Sequence, residues 1–140
     1  MTNRILSEII RRQRPVTLPI SATVQQACQL MRERRIGAIL VTGGGEQLVG
    51  IFTGRDAVGR VLAEALDPAT TLLGVVMTGQ PDTLGPFAKA NEALRMMRDG
   101  GYRHLPVLEG KKIAGIVSRG DFSGLERARH DEETGYWEIL

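Results

Sequence analysis

Two hydroxyl residues stand three positions ahead of an aspartate in matching settings: Thr53 and Asp56 in GIFTGRD (50–56), and Ser118 and Asp121 in GIVSRGD (115–121). A hydroxyl followed three residues later by an acid, where an apolar run passes into a helix, is the pattern of a capping box, a purely structural device. The same groups suit a nucleotide. Free backbone N–H groups at a helix start, the hydroxyl and an adjacent arginine (Arg55, Arg119) favour a phosphate, and the acid can accept bonds from both hydroxyls of a ribose. Spacing alone leaves both readings open. The Arg-Gly-Asp string at 119–121 is incidental, because its counterpart at 54–56 reads Gly-Arg-Asp.

The two stretches belong to an internal repeat. Gly115 minus Gly50 is an offset of 65, which also pairs Ile116 with Ile51, Ser118 with Thr53 and Asp121 with Asp56. Upstream the offset is 66, pairing Thr83 with Thr17, Ala93 with Ala27, Met97 with Met31 and Val107 with Val41, and the extra residue falls in the longer first-copy loop TGGGEQ (42–47). Each copy begins its periodic part with a helix, carrying Val24, Ala27, Cys28 and Met31 or Ala90, Ala93, Leu94 and Met97 on one face. Ser21 is the expected N-cap of the first. Two strand-like runs follow, 36–41 and 48–52 in one copy and 102–108 and 113–117 in the other, joined by glycine-containing turns. A further helix follows each aspartate, the first with Val58, Val61, Leu62 and Ala65 on one face and a stop at Asp67-Pro68. A copy of about 60 residues is small for an independent core, so the two are expected to pack as one module.

Composition narrows the classes. The chain has 140 residues, 42% of them apolar, a formal charge of +2 and one cysteine, so no internal disulfide is available. No apolar run is long enough to span a bilayer, the start MTNRILSEIIRRQR is too polar and arginine-rich to read as a secretory signal, and a soluble cytoplasmic protein is expected. No lysine and Ser/Thr pair follows the glycines 43–45, so they are a hairpin turn rather than a P-loop. His104 and His130 lack a nucleophile constellation, Cys28 reads as a small hydrophobe, and no catalytic or metal set is expected.

The double pattern resembles a tandem cystathionine-β-synthase (CBS) domain pair, or Bateman module. The residues that carry the likeness are VTLPISATVQQACQLMRERRIGAILV and LVGIFTGRD in one copy, DTLGPFAKANEALRMMRDGGYRHLPV and IAGIVSRGD in the other, with VVMT (75–78) introducing the second. The resemblance implies an α/β (α+β) fold of two β-α-β-β-α repeats related by a pseudo-twofold axis. It divides the chain into a first repeat at 7–66, a linker at 67–72, a second repeat at 73–130 and a tail at 131–140 whose Tyr136 and Trp137 read as a docking contact. It also implies clefts for adenosine compounds such as AMP, ADP, ATP, NAD(H) or S-adenosylmethionine, a non-catalytic sensing role, a homodimer forming a disc of four repeats, and an unidentified regulated protein. Carried over by position, Asp56 and Asp121 hold ribose hydroxyls, Thr53 and Ser118 approach phosphate, and Thr17 and Thr83 lie near the base. Ile36, Gly37, Ala38 and Ile39, with Gly54 and Arg55, complete the first cleft. Tyr102, Arg103, His104, Leu105 and Pro106, with Arg119, complete the second. Pro106 lacks an N–H, and a ladder disturbed there would leave carbonyls such as that of His104 free to read an adenine edge.

The clefts are not expected to be equivalent. Where the first has Gly37, Ala38 and Gly54, the second has Arg103, His104 and Arg119, which points to tighter binding in the second unless the arginines face solvent or carboxylates. A different class of reading, a module for single-stranded RNA or other nucleic acid, would use Arg11, Arg12, Arg14 and the cluster Arg32, Arg34 and Arg35.

Overall fold

The computed structural model describes residues 3–128, so the expected tail, with His130, Tyr136 and Trp137, lies outside the described residues. In chain order the elements are α1 (Leu6–Ile10), β1 (Thr17–Pro19), α2 (Val24–Arg34), β2 (Ala38–Thr42), β3 (Leu48–Thr53), a helical turn α3 (Gly54–Asp56), α4 (Leu73–Val76), β4 (Thr78–Gly79), α5 (Ala90–Gly100), β5 (His104–Glu109) and β6 (Lys112–Ser118). Residues 124–128 are also helical and are called α6. These residues form two compact units, one of residues 15–81, the other joining residues 3–14 to residues 82–128.

In the unit of residues 15–81 the sheet order is β1-β2-β3-β4, with β1 parallel to β2 and the other pairs antiparallel. Val24 and Ala27 of α2 enter the core with Ile39, Val41, Phe52, Val61, Leu73 and Val76, while Cys28 and Met31 pack on its margin. The N-cap of α2 is Thr23 rather than the expected Ser21. Thr23 Oγ1 accepts from Gln26 N–H at 3.1 Å and Gln26 Oε1 accepts from Thr23 N–H at 2.8 Å, the reciprocal pair that Ser21, with Val24 three residues on, cannot make. After Asp56 the chain does not continue as the expected α-helix. Residues Ala57–Leu62 are π-wound, with Ala63 N–H bonded to Val58 C=O at 2.9 Å and Leu66 N–H to Val61 C=O at 3.0 Å. The wider turn keeps Val61 at 1% exposure but turns Val58 and Leu62 to solvent, and Ala65 leaves the helix with φ 56.

The other unit repeats this plan with its parts in a different chain order. Here β5 and β6 form an antiparallel pair, and Leu84 bridges Val107 in parallel where Leu18 bridges Val41 in the first unit. Ala90, Ala93, Leu94 and Met97 of α5 are buried as the periodicity requires, against Leu105, Val107 and Val117. Both hairpins carry a register shift at corresponding points, between Val41 and Thr42 and between Val107 and Leu108, so the irregularity of β5 lies beyond Pro106 rather than at it.

The helix that closes each core comes from a different direction in sequence. Leu73 N–H bonds Ala22 C=O at 2.8 Å, Gly74 N–H bonds Ile20 C=O at 3.1 Å, and Val24 N–H bonds Thr71 C=O at 2.9 Å. In the second unit Leu6 N–H bonds Ala88 C=O, Ser7 N–H bonds Pro86 C=O and Ala90 N–H bonds Arg4 C=O, each at 2.8 Å. Thus α4, which follows the first repeat, straps the first unit, and α1, at the start of the chain, straps the second. The repeated glycines make room for these straps. A Cβ on Gly50 would collide with the Met77 side chain and one on Gly115 would lie 2.9 Å from Ile10 Cβ. Beside Gly50, Thr78 pairs with Ile51 through the backbone, and beside Gly115 the side-chain amide of Gln13 does the same work, donating to Ile116 C=O at 2.7 Å and accepting from Ile116 N–H at 3.0 Å.

Candidate functional site

Both hydroxyl-to-aspartate motifs lie where an antiparallel strand ends in a helical turn, and in both the aspartate reaches back to the strand. Thr53 N–H donates to Asp56 Oδ2 at 3.0 Å, and Asp56 N–H donates to Thr53 Oγ1 at 3.4 Å. Ser118 N–H donates to Asp121 Oδ2 at 2.7 Å. The structural reading is therefore realised in each copy. Beyond the cap the copies diverge. Asp56 is 7% exposed, its Oδ2 also accepts from Thr53 Oγ1 at 3.2 Å, and its Oδ1 accepts from Thr78 Oγ1 at 3.2 Å with Arg60 Nε at 3.5 Å. That carboxylate is taken up by its own fold, whereas Asp121 is exposed.

Around Asp121 the second unit gathers several of the expected groups. Arg119 is only 5% exposed, and its N–H donates to Arg103 C=O at 3.0 Å; Arg103 is exposed. Because N–H and C=O directions alternate along a strand, Arg103 and Leu105 face β6, and His104 and Pro106 face the opposite edge. Leu84 N–H occupies part of that edge by donating to Pro106 C=O at 3.2 Å. Proline therefore sits where its missing N–H leaves no gap in the β5–β6 ladder. Thr83, half-buried, immediately precedes Leu84. Burial, followed by the charge of Arg103, holds the His104 imidazole below its ordinary 6.5, with Asp121 pulling the other way, so the ring is neutral at neutral pH. Tyr102 donates to Asp82 Oδ2 at 2.9 Å, and burial and then this carboxylate raise its phenol above its usual value. Its ring lies over Gly100, where a Cβ would collide with it. Leu105 is fully buried in the core and offers a ligand no side-chain surface.

In the first unit, Thr17 is exposed at the start of β1, Gly37 and Gly54 are exposed and joined by a 3.3 Å backbone bond, and Arg55 is exposed. Ile36 is half-buried, while Ala38 and Ile39 are both buried, on opposite faces of β2. A cavity of about 440 Å³ lies elsewhere in this unit, between α2 and the π-wound segment, lined by Val24, Cys28, Arg32, Val61, Leu62 and Pro68. Burial raises the Cys28 thiol, which keeps it protonated at neutral pH. Arg11, Arg12 and Arg14 fall in one unit and Arg32, Arg34 and Arg35 in the other, so neither unit assembles both clusters into one basic stripe. Among the described residues no three His, Cys, Asp or Glu side chains form a metal-binding group, and no helix is long and apolar enough to cross a membrane.

One charged pair beside the second motif has no counterpart in the sequence expectations. Glu126 is 2% exposed and accepts from Arg4 through the backbone N–H at 2.8 Å and through the guanidinium, closest at 2.7 Å. Glu126 Oε1 also accepts from Ser123 N–H at 2.8 Å, and Glu126 N–H donates to Ser123 Oγ at 3.1 Å, a further capping box that starts α6. The S-x-x-E spacing in SGLE (123–126) was the available signal for that cap. Nothing local pairs Arg4 with Glu126, because 122 positions separate them.

Comparison with known proteins agrees with this architecture. The CBS domain family profile matches residues 6–63 and 73–125. An Arabidopsis thaliana CBS domain-containing protein, CBSCBSPB3, is 39% identical over 108 residues, 77% of this chain but 19% of that protein, so the chain spans about a fifth of that relative's length. A Burkholderia ambifaria protein with CBS domains superposes with a TM-score of 0.80 at 27% identity, covering 98% of this chain and 100% of the other. The Pyrobaculum aerophilum CBS domain protein PAE2072, solved in complex with AMP, has the same fold with a TM-score of 0.82 at 22% identity, covering 92% of this chain and 99% of the other. With two matched copies covering most of its length and the two-repeat mixed α+β fold in place, the chain belongs to the CBS domain family.

Proposed function

We propose that this chain is a regulatory module that binds an adenine nucleotide, acts without catalysis, and uses the Ser118–Asp121 turn of its second repeat as the principal site. The observation that carries the reading is the contrast between the two aspartates: Asp56 is buried and satisfied by Thr53, Thr78 and Arg60, while Asp121 is exposed beside Arg119 and His104. In this reading Asp121 takes the ribose hydroxyls, and the Ser118 hydroxyl with the following backbone N–H groups takes phosphate. Arg103 and Arg119 supply charge near it, and the edge carbonyl of His104 faces the base. Neutral His104 adds a hydrogen-bonding group without repelling the cationic arginines.

AMP, ADP, ATP and NAD(H) share the adenosine that these groups would recognise and differ in the phosphates. The AMP complex of the Pyrobaculum protein makes AMP the first probe. A ligand that binds only the folded state raises its melting temperature with occupancy. A thermal-shift series across adenine and guanine nucleotides, NAD(H) and S-adenosylmethionine is expected to show stabilisation by adenosine compounds and none by guanosine compounds. Equal shifts for both bases, or none at all, argue against the reading. Recovery of the nucleotide intact after long incubation is the result expected of a sensor rather than an enzyme.

Homodimerisation is implied by the family, and the first unit carries exposed apolar side chains at Val58, Leu62 and Val75, 62%, 67% and 73% exposed. Analytical ultracentrifugation is expected to give a dimer.

A further inference from the structure

The arm that straps the second unit reaches the back of the candidate nucleotide turn. Arg4 Nη2 donates to Asp121 C=O at 3.2 Å while the same guanidinium holds Glu126 at 2.7 Å. One side chain therefore ties the last residue of the turn to the capping box of α6 and, through its backbone, to the start of α5, where Ala90 N–H bonds Arg4 C=O. Asn3 adds a second hold on α5, its Oδ1 accepting from Asn91 N–H at 2.9 Å.

The first unit shows that this joint is not needed to build the fold. Glu126 minus 61 is 65, the offset that links Ser118 to Thr53, so Glu126 occupies the position of Val61, which is 1% exposed in the first core. Arg4 occupies the position of Thr71, since Val24 N–H bonds Thr71 C=O as Ala90 N–H bonds Arg4 C=O. The first unit has Val61 and Thr71 at these positions, and in the other an ion pair buried at its Glu126 end takes their place. Burying the Glu126 carboxylate carries a desolvation cost that the half-buried Arg4 must offset, so the distinguishing property of the pair is directional: it fixes which groups meet.

We infer that Arg4, held by Glu126, is a positioning residue for the nucleotide turn, and that docking of the arm and binding at Asp121 are coupled. The inference rests on the proposed site. Bonding the Asp121 carbonyl fixes the planar peptide that follows it and so the backbone from which the side chain leaves, while Ser118 N–H holds the carboxylate Oδ2 at 2.7 Å. A carboxylate already aimed loses less freedom when ligand arrives. Reciprocity then requires the ligand to favour the docked arm as much as the docked arm favours the ligand.

The test uses the full chain, AMP as probe, calorimetry for affinity, and hydrogen exchange at the amides of Leu6 and Ser7, which bond Ala88 and Pro86 across the strap. In the wild type AMP is expected to slow exchange at both amides. The double variant Arg4→Thr, Glu126→Val copies the residues that the first unit has at these positions. It is expected to fold, to bind AMP about tenfold more weakly, the worth of one charge-assisted hydrogen bond, and to lose the effect of AMP on Leu6 and Ser7. Arg4→Lys keeps the charge without the planar fork that reaches two acceptors, and is expected to weaken AMP binding with the fold intact even if the double variant does not fold. Wild-type affinity in either folded variant, or arm exchange that AMP leaves unchanged in the wild type, overturns the coupling. Binding that Asp121→Ala weakens and these variants do not removes the coupling alone, whereas a wild type that binds no AMP removes the proposed site with it.

Discussion

Glu126→Gln removes the negative charge from a carboxylate that is 2% exposed and held by Arg4 through four hydrogen bonds. Proton linkage sets the expected magnitude. Burial alone pushes the Glu126 carboxyl up, but the side-chain and backbone bonds from Arg4, with that from Ser123, outweigh it and hold the group at about 2 against an ordinary 4.5. At 1.36 kcal/mol per pH unit, this difference is about 3 kcal/mol of stability for the second unit. Because the folded value lies below the unfolded one, the contribution is complete above about pH 4.5 and disappears as the pH falls toward about 2. Urea denaturation followed by circular dichroism is expected to show Glu126→Gln about 3 kcal/mol less stable at pH 7, with the gap to wild type narrowing steadily below about pH 4.5. A gap independent of pH, or one below about 0.5 kcal/mol at pH 7, refutes the claim that a charged joint holds the arm.

Gly115→Ala places a methyl group 2.8 Å from Gln13 Oε1 and 2.9 Å from Ile10 Cβ, and is expected to cost about 1–3 kcal/mol, seen as a lower melting temperature and faster exchange at Leu6. Asp56→Ala removes the cap on Thr53 and the partner of Thr78, so it is expected to cost about 1–2 kcal/mol of stability in urea denaturation while leaving AMP affinity unchanged. Thr23→Ala, by contrast with Ser21→Ala, is expected to lower stability by about 1 kcal/mol in the same assay, because Thr23 and not Ser21 caps α2.

Much of this fold was legible because the repeat was. The offsets that align the two copies anticipate corresponding helices, hairpins and capping boxes, and the buried face of α5 follows directly from its spacing. What escaped was set by tertiary contact. The repeated glycines of GIFTGRD and GIVSRGD fall inside strand-like runs, and nothing in the sequence shows that each is small because a strap from elsewhere in the chain crosses it. The π winding after Asp56 turns Val58 and Leu62 away from the core that an α-helical count assigns them. The assignment of α1 to the second unit depends on Leu6 and Ile10 finding the α5 core, and no local signal carries that. In the candidate site, the motif residues were visible and their inequality was only half visible. The richer donor set of the second copy stood in the sequence, but the burial of Asp56 under Thr78 and Arg60 and the grip of Arg4 on Asp121 are products of packing.

The central claim is that Asp121, and not Asp56, holds the nucleotide, and calorimetric titration of AMP into the wild type, Asp121→Ala and Asp56→Ala tests it most directly. Losing charge-assisted bonds to the ribose, worth roughly 1.5–3 kcal/mol, predicts affinity about ten- to a hundredfold weaker in Asp121→Ala. Asp56→Ala is expected to titrate like the wild type. Unchanged affinity in Asp121→Ala, or loss confined to Asp56→Ala, contradicts the account.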